Sequence, residues 1–289
     1  MTSVRKAAPE PVRRAGRQAY LRVGRATAPL RMQPGFILIG AQRCGTTTLF
    51  RALMAHPQVV RPAFHKGINF FDLNYHRGLT WYRGHFPVSG IAQAATVRHG
   101  GPVSFEASGY YMYHPFALER MAHDLPAVKL VVMLRDPVER AYSAYRHEYA
   151  RGYEWESFER ALELEDDRLI GETDRMRADM SYESFPHRHH SYRHRGHYAE
   201  QLERAFRLFP PEHVHAMDSA MFFAQPQQEY QRLLAFLRLA PFTAGDFGRH
   251  NARPGTPLDP GTRRMLEAYF APHNERLAAL LGWPAQWPG

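Results

Sequence analysis

Along the chain, apolar positions follow two rhythms. Short, largely apolar runs lie at Phe36–Ile39, Val103–Phe105, Val128–Leu134 and His213–Met217, and each predicts a strand. Runs of this kind mark strands covered on both faces, as in a parallel sheet. Between them apolar residues recur every three or four positions, the spacing of a helix with one buried stripe. Leu49, Ala52 and Leu53 begin the first such stretch, which His56-Pro57 ends. Further helices are predicted from Pro115 to His123, from Pro137 through Tyr145, from Tyr198 to Phe209 and from Pro226 to Leu239. Asp259-Pro260 caps another that runs to Phe270, and Pro272 opens a last one stopping at Gly282. Proline suits a first helical turn, and glycine the position past the end. Strands alternating with helices predict an α/β fold with a mainly parallel central sheet flanked by helices.

Elsewhere the pattern is weaker. Arg61–Asp72 reads as a second strand or an extended loop. Residues 73–87, with Tyr75, Trp81, Tyr82 and Phe86, read as an aromatic-rich connection around a short helix. Residues 88–104 and 240–258 read as loop, and 151–180 as charged helix facing solvent. Pro186–His197 is rich in histidine and arginine and reads as a basic surface loop. No internal repeat of fixed period is present.

Charge changes the picture only at one end. The chain of 289 residues carries a net +9. Residues 1–32 hold eight basic residues against Glu10 alone, so +7 sits there and +2 on the other 257 residues. The expected organisation is therefore a basic, partly disordered leader (1–32) and a single domain (33–289). A nucleic-acid role for the folded body is not expected, and any such role rests with the leader. No stretch reaches eighteen consecutive apolar residues, so no transmembrane segment is predicted. A lone cysteine excludes an intrachain disulfide framework and fits a reducing, cytoplasmic compartment.

The first strand runs into Gly40-Ala-Gln-Arg-Cys-Gly45 and then into a helix. A loop feeding a helix N-terminus presents unpaired backbone N–H groups and is a ready anion site. The glycine spacing is that of a nucleotide P-loop, but Thr46 stands where a triphosphate site needs Lys. The positive charge lies inside the loop at Arg43, and Thr46, Thr47 and Thr48 add hydroxyls. That set suits a less charged group, such as a phosphate carrying a sulfuryl. At the end of Val128–Leu134, Arg135 reaches the carboxyl edge of a central strand, where open α/β sheets bind ligands. Asp136 caps the following helix, with Pro137 at its first position and Glu139 at capping-box spacing. Ser143 lies on the same helix face as Glu139 and His147.

These parts, in this order, resemble the sulfotransferase family. Gly40-Ala-Gln-Arg-Cys-Gly-Thr-Thr-Thr-Leu49 resembles its 5′-phosphosulfate loop, Gly-x-x-Lys-x-Gly-Thr-[Thr/Ser]-x-Leu. Arg135-Asp-Pro-x-x-Arg140-x-x-Ser143-x-Tyr145 resembles its 3′-phosphate motif. Lys66-Gly-Ile-Asn-Phe-Phe-Asp72 is similar to the Lys-Glu-x-x-Phe-Phe-Asp segment of the heparan-sulfate branch, and Arg195-Gly-His-Tyr198 to that branch's Gly-x-Tyr helix start. The resemblance covers residues 35–282 and implies a three-layer, P-loop-like fold. It also implies 3′-phosphoadenylyl sulfate (PAPS) as sulfuryl donor, a small-molecule or glycan acceptor, and no metal requirement. By it, Arg43, Cys44, Gly45, Thr46, Thr47 and Thr48 hold the 5′-phosphosulfate, with Arg43 steadying the leaving oxygen. Arg135 and Ser143 clamp the 3′-phosphate, and Lys66 stabilises the transferring sulfuryl or the bridging oxygen.

The family pattern is broken at Gly67, which stands where the glycan branch has Glu. Candidate general bases are His65, Asp72 and Glu106. Trp81, Tyr82, Tyr110, Tyr111 and Tyr113 are either sugar-stacking faces or core. Cys44 beside a helix N-terminus has the position of an activated thiol but lacks the partners covalent catalysis needs. His190-x3-His194 has a helical metal spacing without further ligands. A P-loop kinase, with Asp136 holding Mg²⁺, and a non-catalytic nucleotide-binding protein are the alternatives.

Overall fold

The computed structural model describes residues 10–63, 66–245, 247–248, 256–283 and 287. Its sheet has five strands: β1 (Pro34–Gly40), β2 (Val59–Val60), β3 (Val103–Ala107), β4 (Lys129–Leu134) and β5 (Val214–Asp218). Their order is β2-β3-β1-β4-β5, and every neighbouring pair is parallel. β1 takes the middle because Phe36, Ile37, Leu38 and Ile39 are all buried, which only a strand covered on both faces allows. Phe36 stacks on its register partner Phe105 of β3, ring centroids 4.8 Å apart. Such cross-strand aromatic pairs help to hold register.

The chain leaves β1 toward β2 and β3, and leaves β4 toward β5 on the other side. The connections therefore diverge between β1 and β4, and that crevice is where open α/β sheets take their ligands. Helix α2 (Thr46–Ala55) begins after β1 and buries Leu49, Ala52 and Leu53 on the sheet. Helix α1 (Glu10–Ala26) precedes β1, and α3 (Leu79–Arg83), α4 (Ser89–Thr96) and α5 (Ala117–Asp124) lie between α2 and β4. Helix α6 (Pro137–Tyr149) follows β4, its end capped as predicted by Asp136, whose Oδ1 accepts from the Val138 N–H at 2.8 Å.

Beyond α6 come α7 (Phe158–Glu163), α8 (Glu165–Leu169), α9 (Glu172–Ala178), α10 (Phe185–His189) and α11 (Tyr198–Leu208), then α12 (Ser219–Ala224), α13 (Pro226–Leu237) and α14 (Pro260–Leu281). A second apolar cluster joins Val138 and Ala141 of α6 to Phe158 and Leu162 of α7 and to Leu266 and Phe270 of α14. Among the described residues no helix is long and apolar enough to cross a membrane.

Several expectations give way to the structure. The sheet itself is as expected, with all five of its described strands parallel; other readings change. Residues 88–104 are not loop but hold α4, whose Ala92 and Thr96 are buried. Of the two readings of Arg61–Asp72, the strand is not found among the described residues; β2 is two residues long, and Phe70–Asn74 forms a π-helical turn that buries Phe70, Phe71 and Asp72. Residues 10–26 of the leader are helical and docked on α3. Gly24 of α1 packs so near Gly84 that a Cβ there would lie 2.4 Å from the Gly84 carbonyl oxygen. Arg31 then donates from Nη1 to the Phe86 carbonyl at 2.6 Å. Residues 1–9 lie outside the described residues. Pro272 opens no new helix: α14 runs through it, at the loss of one backbone bond, with Phe270 and Leu277 buried on either side.

Candidate active site

The β1–α2 loop turns through two left-handed residues, Arg43 (φ 71°) and Gly45 (φ 87°). A non-glycine residue in that region costs on the order of 1–3 kcal/mol and persists only where its surroundings hold it. Here Arg43 is held across the crevice: its Nε donates to Ser143 Oγ at 3.1 Å. The 5′ loop and the 3′-phosphate motif thus touch through the side chains expected to serve each.

The ammonium missing after Gly45 arrives from another element. Lys66 Nζ donates to Thr46 Oγ1 at 3.1 Å and lies 3.5 Å from Thr47 Oγ1. Burial lowers the Lys66 amine to about 8. Thr48 does not face this group. As the third residue of α2 it bonds backward, N–H to the Gly45 carbonyl at 3.0 Å, while its hydroxyl donates to the Gly248 carbonyl at 2.9 Å. Cys44 is buried, with Sγ 3.9 Å from the Tyr198 hydroxyl. Its burial outweighs Arg140 and the other nearby cations and pushes the thiol up to about 11, so the helix end does not activate it.

At the end of β4, Arg135 pairs with Glu139 at 3.1 Å, and its carbonyl accepts from the Tyr198 hydroxyl at 3.0 Å. The arginine pair is half-exposed, and such pairs are weak enough to open for a stronger anion. Arg140, one turn before Ser143, has no exposed surface. Its Nη2 donates to the Tyr192 carbonyl, while Nε and Nη1 have no hydrogen-bond partner among the described residues. A buried guanidinium with two such donors charges the crevice positively. The motif contains Arg140, but its spacing alone did not mark it as part of the site.

The base candidates fare differently. His65 lies outside the described residues. Glu106 is fully buried; Oε2 accepts from the Ile68 N–H at 2.9 Å, and Oε1 from the hydroxyls of Tyr82 at 2.8 Å and Tyr111 at 3.0 Å. Burial raises it to about 7 against those bonds. Asp72 accepts from the Leu73 N–H at 2.8 Å and from the Ser108 hydroxyl at 3.1 Å, and burial raises it to about 6. The charge of Arg188, from the α10 segment, acts on Asp72. At Gly67 a Cβ would lie 2.5 Å from the Ala107 carbonyl oxygen, so a longer residue has no room there.

The histidine-rich segment is packed rather than loose. His187, His190, Ser191, Tyr192 and Arg195 are all buried. Arg195 sits over the rings of Tyr110 and Tyr113 and donates to Gln42 Oε1 inside the β1–α2 loop. Gln42 in turn reaches Glu148 of α6, and Glu148 meets His189 at 2.9 Å. Arg195 and Gln42 stand 153 positions apart, so no local sequence signal marks this network. Tyr82 and Tyr111 are fully buried and Trp81 and Tyr110 nearly so, which makes them core; Tyr113 stacks on His187 at 4.3 Å. The His190-x3-His194 spacing makes no pair, because His190 binds the Tyr153 carbonyl and His194 binds Asp166.

A family model described as the sulfotransferase domain matches residues 33–247, most of the chain. The chain belongs to the sulfotransferase family. A solved sulfotransferase from Alicyclobacillus acidocaldarius is similar at a TM-score of 0.65 and 28% identity, covering 88% of this chain and 97% of that one. The human bifunctional heparan sulfate N-deacetylase/N-sulfotransferase 3 is 28% identical over 280 residues, 86% of this chain. The membrane-associated sulfotransferase kil1 of Dictyostelium discoideum is 27% identical and matches 88% of this chain and 66% of its own length. The present chain spans only 30% of the length of the human relative. Enzymes of this family use PAPS as sulfuryl donor. Its residues fit such a donor: Arg43 bonds Ser143, Lys66 bonds Thr46, and Arg135 stands at the end of β4, the strand beside β1.

Proposed function

We propose that this sulfotransferase moves a sulfuryl group from PAPS to a hydroxyl or amine of a carbohydrate or glycosylated small molecule. The observation that carries the donor half is the Arg43–Ser143 contact at 3.1 Å, which joins two anion pockets into one cationic floor. Similarity to heparan sulfate N-sulfotransferases over 86% of the chain supports a sugar acceptor. When bound, PAPS supplies the activated sulfuryl group and the adenosine bisphosphate leaving group. Arg135 and Ser143 hold the 3′-phosphate, a dianion that an Arg and a hydroxyl recognise with charge-assisted bonds. Arg43 and Lys66 meet the other end, where preorganised donors stabilise charge developing on the departing oxygen.

Asp72 is the proposed acceptor base. Glu106 has both oxygens occupied by donors from the core, where it ties residues 66–70 to β3. Asp72 likewise has both oxygens engaged, by the Leu73 N–H and the Ser108 hydroxyl, but it holds one donor fewer, feels the charge of Arg188, and at a value near 6 is ionised at neutral pH. A screen of sugars and glycosides with sulfur-labelled PAPS tests the acceptor class. Labelled product with sugars and none with simple phenols or alcohols supports it, and the reverse refutes it. Binding without turnover is the second reading, favoured by Gly67. It predicts tight adenosine 3′,5′-bisphosphate and no labelled product with any acceptor.

A further inference from the structure

His197, Glu200 and His273 each offer one ligand atom, and these atoms lie within 4.8 Å of one another. The sulfuryl chemistry uses none of the three. His197 immediately precedes α11, Glu200 lies in its first turn, and His273 belongs to α14. The three-residue spacing puts His197 and Glu200 on one side of the helix start, and α14 packs against α11 to bring His273 to them. The His273 ring stacks on that of His197, centroids 3.9 Å apart and planes 7° from parallel. The Tyr269 hydroxyl lies 2.9 Å from His197 Nε2 and fixes that ring. Metal-binding histidines almost always carry an outer hydrogen bond of this sort.

Two imidazoles and a carboxylate suit zinc and its divalent neighbours, with water completing the shell. Four-coordinate zinc draws its ligand atoms to about 3.3 Å apart. Closing from the present spacing turns the His273 ring out of its stack on the fixed His197 ring and swings exposed Glu200 away from Arg276, 3.7 Å off, which also pairs with Glu203.

We propose that His197, Glu200 and His273 bind one divalent transition-metal ion of the zinc type, which pins the start of α11 to α14. The neighbouring Tyr198 donates to the Arg135 carbonyl, so the pin stands directly behind the 3′-phosphate motif.

Untagged full-length protein, treated with chelator and dialysed, is titrated with cobalt(II) chloride and followed by visible absorption, then by displacement with zinc chloride. One cobalt per chain is expected, with the bands of a nitrogen–oxygen site that zinc abolishes, and with a melting temperature raised by zinc. His273→Ala and Glu200→Gln each remove the bands, and Tyr269→Phe weakens binding about 10- to 100-fold. His190→Gln leaves binding unchanged, since that ring is engaged by Tyr153. Circular dichroism confirms that each variant is folded. No cobalt bands at millimolar metal, wild-type binding by both His273→Ala and Glu200→Gln, or loss of binding in His190→Gln overturns the proposal.

Discussion

Replacing Gly67 with alanine adds one methyl group at the point where this chain departs from the glycan-sulfotransferase pattern. The methyl would lie 2.5 Å from the Ala107 carbonyl oxygen, 3.3 Å from its carbon and 3.3 Å from Asn69 Oδ1. The obstacle is backbone, and it is tied down on both sides. The Ala107 N–H donates to the Lys66 carbonyl at 3.0 Å, and the Ile68 N–H donates to Glu106 at 2.9 Å. Relief must therefore move residues 66–68 away from β3. Overpacking of this kind costs roughly 1–3 kcal/mol, a fall in Tm of roughly 2–10 °C for a chain near this size. The same movement carries Lys66 off Thr46, and a misplacement of about 1 Å lowers kcat on the order of 100-fold. Differential scanning fluorimetry and turnover with the acceptor found by screening measure the two effects. Gly90→Ala in α4 is the control, because nothing lies within 4 Å of its added methyl. Gly67→Glu, which restores the family carboxylate on paper, should lose more than the alanine variant. Wild-type Tm and kcat in Gly67→Ala, or a gain of activity in Gly67→Glu, would refute the reasoning.

The remaining predictions concern protons, coupling and metal. With Asp72 as base and Lys66 as cation, kcat/KM rises with pH through about 6 as Asp72 deprotonates and falls above about 8 as Lys66 loses its proton. Asp72→Asn removes the acid limb, whereas Glu106→Gln keeps it; the opposite result assigns the base to Glu106. In a double-mutant cycle of Arg43→Ala and Ser143→Ala, read by calorimetry with adenosine 3′,5′-bisphosphate, contacting residues couple by about 0.5–3 kcal/mol. Strict additivity would mean that the 3.1 Å contact is idle. Added Mg²⁺ should leave bisphosphate affinity unchanged, and a Mg²⁺-dependent preference for ATP would favour the kinase alternative.

Local signals in this chain are legible where one residue type has one physical use. Asp136-Pro137 announced the start of α6, and the run Val128–Leu134 announced β4, because capping and two-sided burial are decided within a few positions. The prediction failed where a distant partner decides. Residues 10–26 have the composition of a solvated leader, yet α1 docks because Gly24 and Gly84 permit close approach. His187 and Arg195 read as surface, yet Tyr110, Tyr113 and Gln42 pack over them and they are buried. Cys44 shows the same contest at one atom: helix-end position favours the thiolate, and burial from elements far along the chain reverses it. Glu106 was named from its place at a strand end, but the donors that occupy it, Tyr82 and Ile68, follow from tertiary packing alone.

The contact that unites the site belongs to this second class. Arg43 and Ser143 stand 100 positions apart, and each motif could be recognised without knowing that they meet. They meet because β1 and β4 are neighbours in the sheet. Adjacent parallel strands lie about 4.8 Å apart, so one arginine leaving β1 reaches across to the helix that follows β4. Had β3 been placed between them, the gap would be about twice as wide, and the guanidinium would fall short of Ser143. The strand order also makes the chain diverge at this gap, which clears the crevice above it of crossing connections. Strand order is therefore part of the donor site's chemistry: it sets the separation of the two anion pockets, and hence the length of the bisphosphorylated molecule that can bridge them.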